Sequence, residues 1–232
     1  MIDFSNMAEV AKAIQYTNVS SDLTKAELIK HLDTCKKYGF DAAMIAPCYV
    51  EFAKEYLQGT GIRVATTLNF PQANDTLGMK LAALKELIKT GVDEFDFPPN
   101  PGLLVGGEEE AYYQEIKQVV DLAHASNVKV KVMLEFGFLN DEQKVKATQL
   151  SYKAGVDWVK QSSGWGKGGC EATVEDVKIL KENIQAPCRV KVSGKVNSLE
   201  KMKKMFEAGA ELVGTSSGPE ICEGLIGDAN AY

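Results

Sequence analysis

A short sequence motif recurs along the chain, in which a glycine that ends a predicted helix is followed by an apolar strand. It occurs at Gly39, Gly91, Gly155 and Gly209. Glycine is favoured at the left-handed position that closes a helix C-terminus. The motifs belong to a βα repeat of roughly 29 residues, which is 232 residues divided by eight. This repeat constrains the fold most, because strands that alternate with helices form a parallel sheet with helical crossovers.

Eight apolar segments are predicted to be strands. They are 14–19, 42–46, 63–68, 94–97, 128–135, 158–161, 188–193 and 212–215. The segments between them have apolar residues spaced by three and four, as in Met79, Leu84 and Leu87, which is typical of helices. Polar residues stand at many strand ends, and no Gly-x-Gly-x-x-Gly turn follows the first strand. We therefore predict an α/β fold of the single (β/α)8 TIM-barrel type and not an open doubly wound sheet.

Length and composition agree with one barrel domain over residues 1–232, ending in a short tail from about residue 225. A net charge of −6 without a basic stripe argues against a nucleic-acid partner. The apolar runs are shorter than the about 20 residues that cross a membrane, and the N-terminus does not resemble a signal peptide. Five scattered cysteines indicate reduced thiols. A cytoplasmic protein without a membrane partner is expected.

Three ionisable residues stand where predicted strands four, six and seven end: Asp96, Lys160 and Lys191. Side chains alternate along a strand, so all three can point into the barrel. Burial lowers the pKa of a lysine by disfavouring its charged form, and a second ammonium group acts in the same direction. An unprotonated amine is what Schiff-base formation requires, and a carboxylate can move protons. Any one of the three alone is more often a solvated or structural group, so the hypothesis depends on all of them.

Two loops at the same end of the predicted barrel have the composition of a phosphate site. Ser193 and Gly194 follow strand seven, and the segment 214–218 follows strand eight. Loops in these two places often bind phosphate through backbone N–H groups and hydroxyls, although an ordinary turn and helix cap fits equally well. The glycine-rich stretch 164–169 after strand six either closes over a substrate or is a mobile loop.

Metal chemistry has little support in the sequence. The two histidines, His31 and His124, lie in predicted helices and are expected at the surface. A metal-dependent aldolase would place several imidazoles at the barrel mouth, and no acidic cluster stands at a strand end. We expect neither a metal nor another cofactor.

The motifs taken together resemble the deoxyribose-phosphate aldolase family, from about residue 14 to residue 224. The segments that carry the resemblance are 93–96, 130–135, 159–164, 172–176, 190–194 and 214–218. The resemblance implies a lyase of deoxyribonucleotide catabolism that cleaves 2-deoxy-D-ribose 5-phosphate to D-glyceraldehyde 3-phosphate and acetaldehyde through a lysine Schiff base. It implies a phosphorylated sugar and an aldehyde as partners; a homodimer is the assembly we expect.

By the same resemblance, Lys160 corresponds to the Schiff-base lysine, Lys191 to the lysine that perturbs it, and Asp96 to a proton-relay carboxylate. Lys167, in the glycine-rich loop, does not match the reactive lysine. The positions that correspond to the substrate and phosphate site are Thr17, Gly164, Ser193, Gly194, Lys195, Gly214, Ser216 and Ser217.

Several positions depart from the family pattern. The usual Asp-His-Thr stretch on strand one is Gln15-Tyr16-Thr17, Gln161 follows Lys160 where threonine is common, and Lys195 replaces the second glycine of a Ser-Gly-Gly turn. The loop after Gly164 is about two residues longer than in common versions. The departures leave open an aldolase with a different sugar, a phosphosugar isomerase or epimerase that uses Asp96 or Glu135 as base, and a non-catalytic sugar-phosphate-binding barrel.

The last residue, Tyr232, ends a tail of small residues. Such a tail is usually disordered. Some members of the resembled family also end in tyrosine, and their tails fold over the barrel mouth. The hypothesis is that the Tyr232 phenol exchanges a proton with the enamine carbon without assisting imine formation.

Overall fold

In the computed structural model, which describes residues 2–228, eight parallel strands close into a barrel. The strands are β1 (Ile14–Asn18), β2 (Ala42–Ile45), β3 (Arg63–Thr67), β4 (Glu94–Phe97), β5 (Lys129–Met133), β6 (Trp158–Lys160), β7 (Arg189–Ser193) and β8 (Leu212–Thr215). Each strand pairs with its neighbours in chain order, and β8 pairs with β1. The predicted barrel is confirmed, with every strand inside or at the bounds of its predicted segment.

Helices follow the strands and cover the outside of the barrel. The described residues form α1 (Met7–Ala11), α2 (Lys25–Tyr38), α3 (Val50–Tyr56), α4 (Leu77–Lys89), α5 (Pro101–Val105), α6 (Glu109–His124), α7 (Asp141–Ala154), α8 (Val174–Glu182), α9 (Leu199–Glu207) and α10 (Gly218–Glu223). Two 3₁₀ turns, Pro47–Tyr49 and Phe136–Phe138, follow β2 and β5. Among residues 2–228, no helix combines the length and apolarity that crossing a membrane requires.

The glycine of each repeated motif follows the end of a helix, as predicted. The backbone φ is 69° at Gly39, 77° at Gly91, 91° at Gly155 and 118° at Gly209, all in the region that other residues rarely adopt. At the opposite end of α2, the Thr24 side chain accepts the backbone N–H three residues later and forms a capping box. Local sequence signals therefore fix where these helices begin and end.

Alternation along the strands separates an apolar layer from a polar interior. On β7, Val190 and Val192 belong to the hydrophobic core between sheet and helices. Lys191 lies between them and points into the barrel. The register pairs Lys160 of β6 with Lys191 of β7, and residues paired in a parallel sheet face the same side. The two amines are therefore brought together by the sheet itself.

Candidate active site

Asp96 is the centre of a buried cluster of lysines inside the barrel. Its Oδ2 atom is 3.0 Å from Nζ of Lys160 and 2.8 Å from Nζ of Lys191. Its Oδ1 atom is 3.4 Å from Nζ of Lys131 on β5. All four side chains are at most 2% exposed. The structure thus brings together the three residues predicted from the strand ends and adds a third lysine.

Charges inside this cluster shift its protonation. Burial by itself raises the pKa of Asp96, but the nearby ammonium groups of Lys191, Lys160 and Lys131 outweigh that effect, so the pKa lies well below its usual range. Burial lowers the pKa of Lys191 to about 7; Asp96 opposes this shift, while the positive charges of Lys160 and Lys131 reinforce it. The site therefore contains a permanent carboxylate and an amine that loses its proton near neutral pH.

A second carboxylate lies one step deeper in the barrel. Glu94, on the same strand as Asp96, is fully buried, and its Oε2 atom is 3.1 Å from Nζ of Lys131. Arg63, at the bottom of β3, approaches the same oxygen at 3.3 Å and also pairs with Asp41. The buried network therefore runs from the lower rim of the barrel up to Lys160 and Lys191.

Gln15 of β1 joins the two ends of this network. Its Oε1 atom accepts a hydrogen bond from Nζ of Lys191 at 2.7 Å. Its Nε2 atom donates to Oε1 of Glu94 and, at 3.0 Å, to Oδ2 of Asp41. The neighbours fix the orientation of the amide, because an ammonium group needs an acceptor and carboxylates need donors. Gln15 itself is fully buried.

Glu135 and Ser162 organise the mouth of the barrel above Lys160. Glu135 has a left-handed backbone, with φ of 50°, and one of its carboxylate oxygens accepts the backbone N–H of Ser163 at 3.0 Å. Burial raises the pKa of Glu135 even though Ser163 and Lys160 oppose the shift. The Ser162 hydroxyl accepts the N–H groups of Gly164 and Cys170, both at 2.9 Å. It thereby fastens both ends of the glycine-rich loop.

The glycine-rich loop reaches across the mouth. The Trp165 ring lies edge-on to the ring of Phe70, which follows β3 on the other side of the barrel, with centroids 6.2 Å apart. On the near side, the carbonyl of Gly168 accepts the N–H of Gly137 at 3.2 Å. Of the two interpretations from the sequence, this geometry favours a loop that closes over the site.

Trp165 borders two cavities at the mouth. The smaller, of about 270 Å³, is lined by the end of β1 with Thr17, by His31 of α2 and by Ser216. The larger, of about 660 Å³, lies between the loops that follow β1, β2 and β3. The smaller cavity thus joins two of the predicted substrate positions, although they are almost 200 residues apart in sequence.

The remaining predicted phosphate positions lie on the neighbouring loops of β6, β7 and β8. The buried Ser193 hydroxyl has no hydrogen-bond partner among the described residues. The bare Cα of Gly194 faces the carbonyl of Cys170, which any Cβ there would overlap. The backbone N–H of Ser217 donates to Oγ1 of Thr215 at 3.0 Å. Each loop therefore has polar atoms or open backbone at this end of the barrel.

Gly214 and Lys195 differ from the rest of that group. A Cβ at Gly214 would lie 3.0 Å from Cε of Lys191 and would overlap the Ser193 hydroxyl, so Gly214 makes room for both side chains. The Lys195 side chain is exposed, its backbone has φ of 56°, and its carbonyl accepts a hydrogen bond from Nζ of Lys201 at 3.0 Å. The Lys195 side chain therefore lies on the outer surface of the loop that follows β7.

Two further predictions concern the histidines, and one concerns Tyr232. His31, expected at the surface, is 6% exposed, because its ring stacks on Tyr16 and its Nε2 atom contacts the Tyr16 carbonyl at 3.1 Å. That expectation was wrong. His124 is at the surface as expected and pairs with Asp157. Tyr232 lies outside the described residues. No group of three or more metal-ligating side chains occurs within residues 2–228.

Several residues of the site were given no role from the sequence. Lys131, Glu94 and Gln15 belong to the network, although Glu94 and Lys131 were named only within motifs and Gln15 only as a departure from the family pattern. Their signal is the alternation of charged and apolar residues inside strands, as in Lys129-Val130-Lys131, where an inward lysine has no place in an apolar core. Gln161 is fully buried and donates to the backbone carbonyl of Ser193, joining β6 to β7 beyond the ladder.

Residues 5–224 match the family described as DeoC/LacD family aldolase. The chain is 38% identical over 219 residues to the deoxyribose-phosphate aldolase of Caldanaerobacter subterraneus subsp. tengcongensis, covering 94% of both proteins. It is 38% identical to the enzyme of the same name from Thermococcus gammatolerans, with 93% of this chain and 96% of that protein covered. Its fold matches the deoxyribose phosphate aldolase structure from Aeropyrum pernix, described as tetrameric, with a TM-score of 0.85 at 26% identity. That match covers 94% of this chain and 92% of the other.

Proposed function

The chain belongs to the DeoC/LacD family of aldolases, and from this premise we propose that it is a class I deoxyribose-phosphate aldolase. The reaction is the reversible cleavage of 2-deoxy-D-ribose 5-phosphate to D-glyceraldehyde 3-phosphate and acetaldehyde. The observation that carries the proposal is the sharing of one Asp96 oxygen by the amines of Lys160 and Lys191. A phosphosugar isomerase would need one base and no imine, so two buried amines favour the aldolase over that alternative.

Lys160 is the nucleophile in this proposal. Its unprotonated amine adds to the C1 carbonyl of the open-chain sugar; the adduct then takes up a proton from Lys191 and loses water, which leaves a protonated imine. Asp96 remains an anion and stabilises that cation, and it lies within hydrogen-bond reach of both amines. Lys191 takes up and returns protons, since its pKa of about 7 lies near neutral pH.

Cleavage follows from the imine. The C3 hydroxyl loses its proton, the C2–C3 bond breaks, and its electrons form an enamine as the protonated imine is neutralised. D-glyceraldehyde 3-phosphate departs. A proton is then added to C2, and water hydrolyses the imine to acetaldehyde and free Lys160. In the reverse direction the enamine adds to the aldehyde carbon of the phosphorylated acceptor.

We assign the phosphate end of the substrate to the loops of β6, β7 and β8. Support comes from the unpartnered hydroxyl of Ser193 and from the position of Ser216 on the smaller cavity. The family positions in these loops are Gly164, Gly194, Lys195, Gly214 and Ser217. Thr17, across the same cavity, contacts the sugar. Lys195 adds positive charge from the rim, while Gly214 preserves the space that Lys191 occupies.

Three wider features complete the proposal. The protein acts in the cytoplasm, in the breakdown of deoxyribonucleotides, on small phosphorylated sugars and aldehydes. It assembles as a homodimer, although the similar Aeropyrum pernix protein is described as tetrameric. The proposed catalytic and binding residues belong to one domain, residues 1–232. Tyr232 assists proton transfer at the enamine carbon.

Covalent trapping tests the central step. Acetaldehyde with borohydride should leave a reduced two-carbon adduct on Lys160, identified by peptide mapping, and release of D-glyceraldehyde 3-phosphate should be measurable in a coupled assay. Lys167→Met is the matched control: it removes a lysine of the nearby loop and should leave the adduct in place. A principal adduct on Lys167, or no adduct on the active protein, contradicts the proposal.

A further inference from the structure

The positive and negative groups buried inside the barrel are unequal in number. Within residues 2–228, the fully buried charged side chains of the barrel interior are two carboxylates and three amines: Glu94, Asp96, Lys131, Lys160 and Lys191. Three ammonium groups against two carboxylates would leave one uncompensated positive charge in a medium of low dielectric, which is costly. One unprotonated amine removes that charge. The excess of amines over carboxylates in the interior therefore favours an unprotonated amine, which imine formation requires.

Gln15 is the neutral member of this interior. It makes the contacts that a carboxylate would make to Lys191, with an oxygen 2.7 Å from Nζ, but it contributes no charge. A glutamate of the same length would place a negative charge at that oxygen and make three carboxylates face three ammonium groups. All three lysines would then be stabilised in the protonated form.

We infer that Gln15 is a positioning residue that orients Lys191 and, because it is uncharged where the family pattern has an aspartate, lowers the proton affinity of the buried amines. The inference deepens the proposed function and rests on it. Gln15 acts through Lys191: its carbonyl oxygen holds the ammonium group, and its amide nitrogen is held in turn by Glu94 and Asp41. The barrel thus fixes the position of the amine while raising its proton affinity less than a carboxylate at the same place would.

The other charged groups around the cluster do not upset this balance. At the lower rim, Arg63 and Asp41 pair with each other, so their charges offset. Above Lys160, Glu135 is buried, and its pKa is raised, which disfavours a further negative charge. Towards β2 and β8, the inward residues Ala42, Met44 and Leu212 bring no charge. The lowered pKa of Lys191, caused first by burial, agrees with the charge count.

The test varies the buried charge at constant side-chain size. For Gln15→Glu, the pH at which borohydride trapping at Lys160 is half-maximal should rise by about one to three units, the usual effect of one close opposite charge. Glu94→Gln removes a negative charge and should lower that pH. The double variant Gln15→Glu with Glu94→Gln restores two carboxylates and should return the midpoint towards the wild type. The pH profile of kcat/KM is measured in parallel.

Gln15→Met, neutral and similar in length, separates charge from hydrogen bonding. It should slow trapping and leave the midpoint in place. A midpoint that stays unchanged in Gln15→Glu, or that rises as far in Gln15→Met, overturns the inference. If one charge variant does not fold by circular dichroism, the other still tests the opposite sign. Failure of the wild type to trap at Lys160 would instead contradict the proposed function, so the two failures are distinct.

Discussion

Lys160 and Lys191 bind the same carboxylate oxygen, with their Nζ atoms 3.0 Å and 2.8 Å from Oδ2 of Asp96. They are paired across β6 and β7, so the sheet holds both amines on one side. The shared oxygen gives a proton a short path between them. In this arrangement one lysine can react while the other stores or returns a proton.

Lys191→Met tests the role of the second amine. The change leaves two lysines against two carboxylates in the interior, so Lys160 is stabilised as an ammonium group. Trapping at Lys160 should need a higher pH, and kcat at pH 7 should fall by about 10² to 10⁴, as is usual for loss of acid–base catalysis. Trapping followed across the pH range measures this. A wild-type profile and rate would reduce Lys191 to a packing role.

Gly214→Ala tests whether the bare backbone of β8 makes room for Lys191. The new Cβ would lie 2.5 Å from Oγ of Ser193 and 3.0 Å from Cε of Lys191, so both side chains must shift. A displacement of about 1 Å can lower a rate by about a hundredfold, so a smaller shift of Lys191 should lower kcat by up to that factor. Gly78→Ala is the matched control, since a Cβ there meets nothing within 4 Å; activity should be unchanged. Equal kcat in both variants would contradict the role given to Gly214.

Ser216→Asp tests the phosphate end of the site. A negative charge on the smaller cavity should repel a phosphorylated substrate, so KM for 2-deoxyribose 5-phosphate should rise at least tenfold. Unphosphorylated 2-deoxyribose is the internal comparison and should be affected little. Gly194 is unsuitable for the same change, because any side chain there overlaps the Cys170 carbonyl. An equal loss with both substrates would indicate general damage and not a lost anion site.

Trp165 should report on ligand binding. The protein has two tryptophans: Trp158 is buried under Arg189, whose guanidinium lies 3.8 Å from its ring, while Trp165 borders both cavities at the mouth. Adding substrate should change the emission of Trp165 and leave Trp158 as a constant background. Trp165→Phe should abolish the change. The same change in that variant would place the ligand elsewhere.

Tyr232→Phe tests the hypothesis for the last residue of the chain. If the phenol exchanges a proton with the enamine carbon, turnover and solvent-deuterium incorporation into acetaldehyde should slow by at least tenfold, within the range of about 10² to 10⁴ for acid–base groups. Trapping at Lys160 should persist, since imine formation does not need the phenol. Normal deuterium exchange in this variant would rule out the role.

The sequence by itself determined the elements and the reactive residue types. Glycine at the helix ends and apolar segments of strand length come from local preferences, so the eight strands and the closed barrel could be predicted. Asp96, Lys160 and Lys191 could be found because each is a charged residue that follows an apolar one within a predicted strand, and parallel strands bring such side chains together inside a barrel.

Tertiary structure decided which polar residues share the interior and with what charge. In the sequence, Gln15 is only a departure from the family pattern of strand one. In the structure it contacts Lys191 and Glu94, which are distant in sequence. His31 reads as a surface group, yet Tyr16 covers it. Local sequence cannot specify such contacts, because they depend on the register and closure of the barrel. The proton affinity of a buried amine depends on all the charges that closure brings near it, which is why only the folded chain shows Gln15 as part of the site.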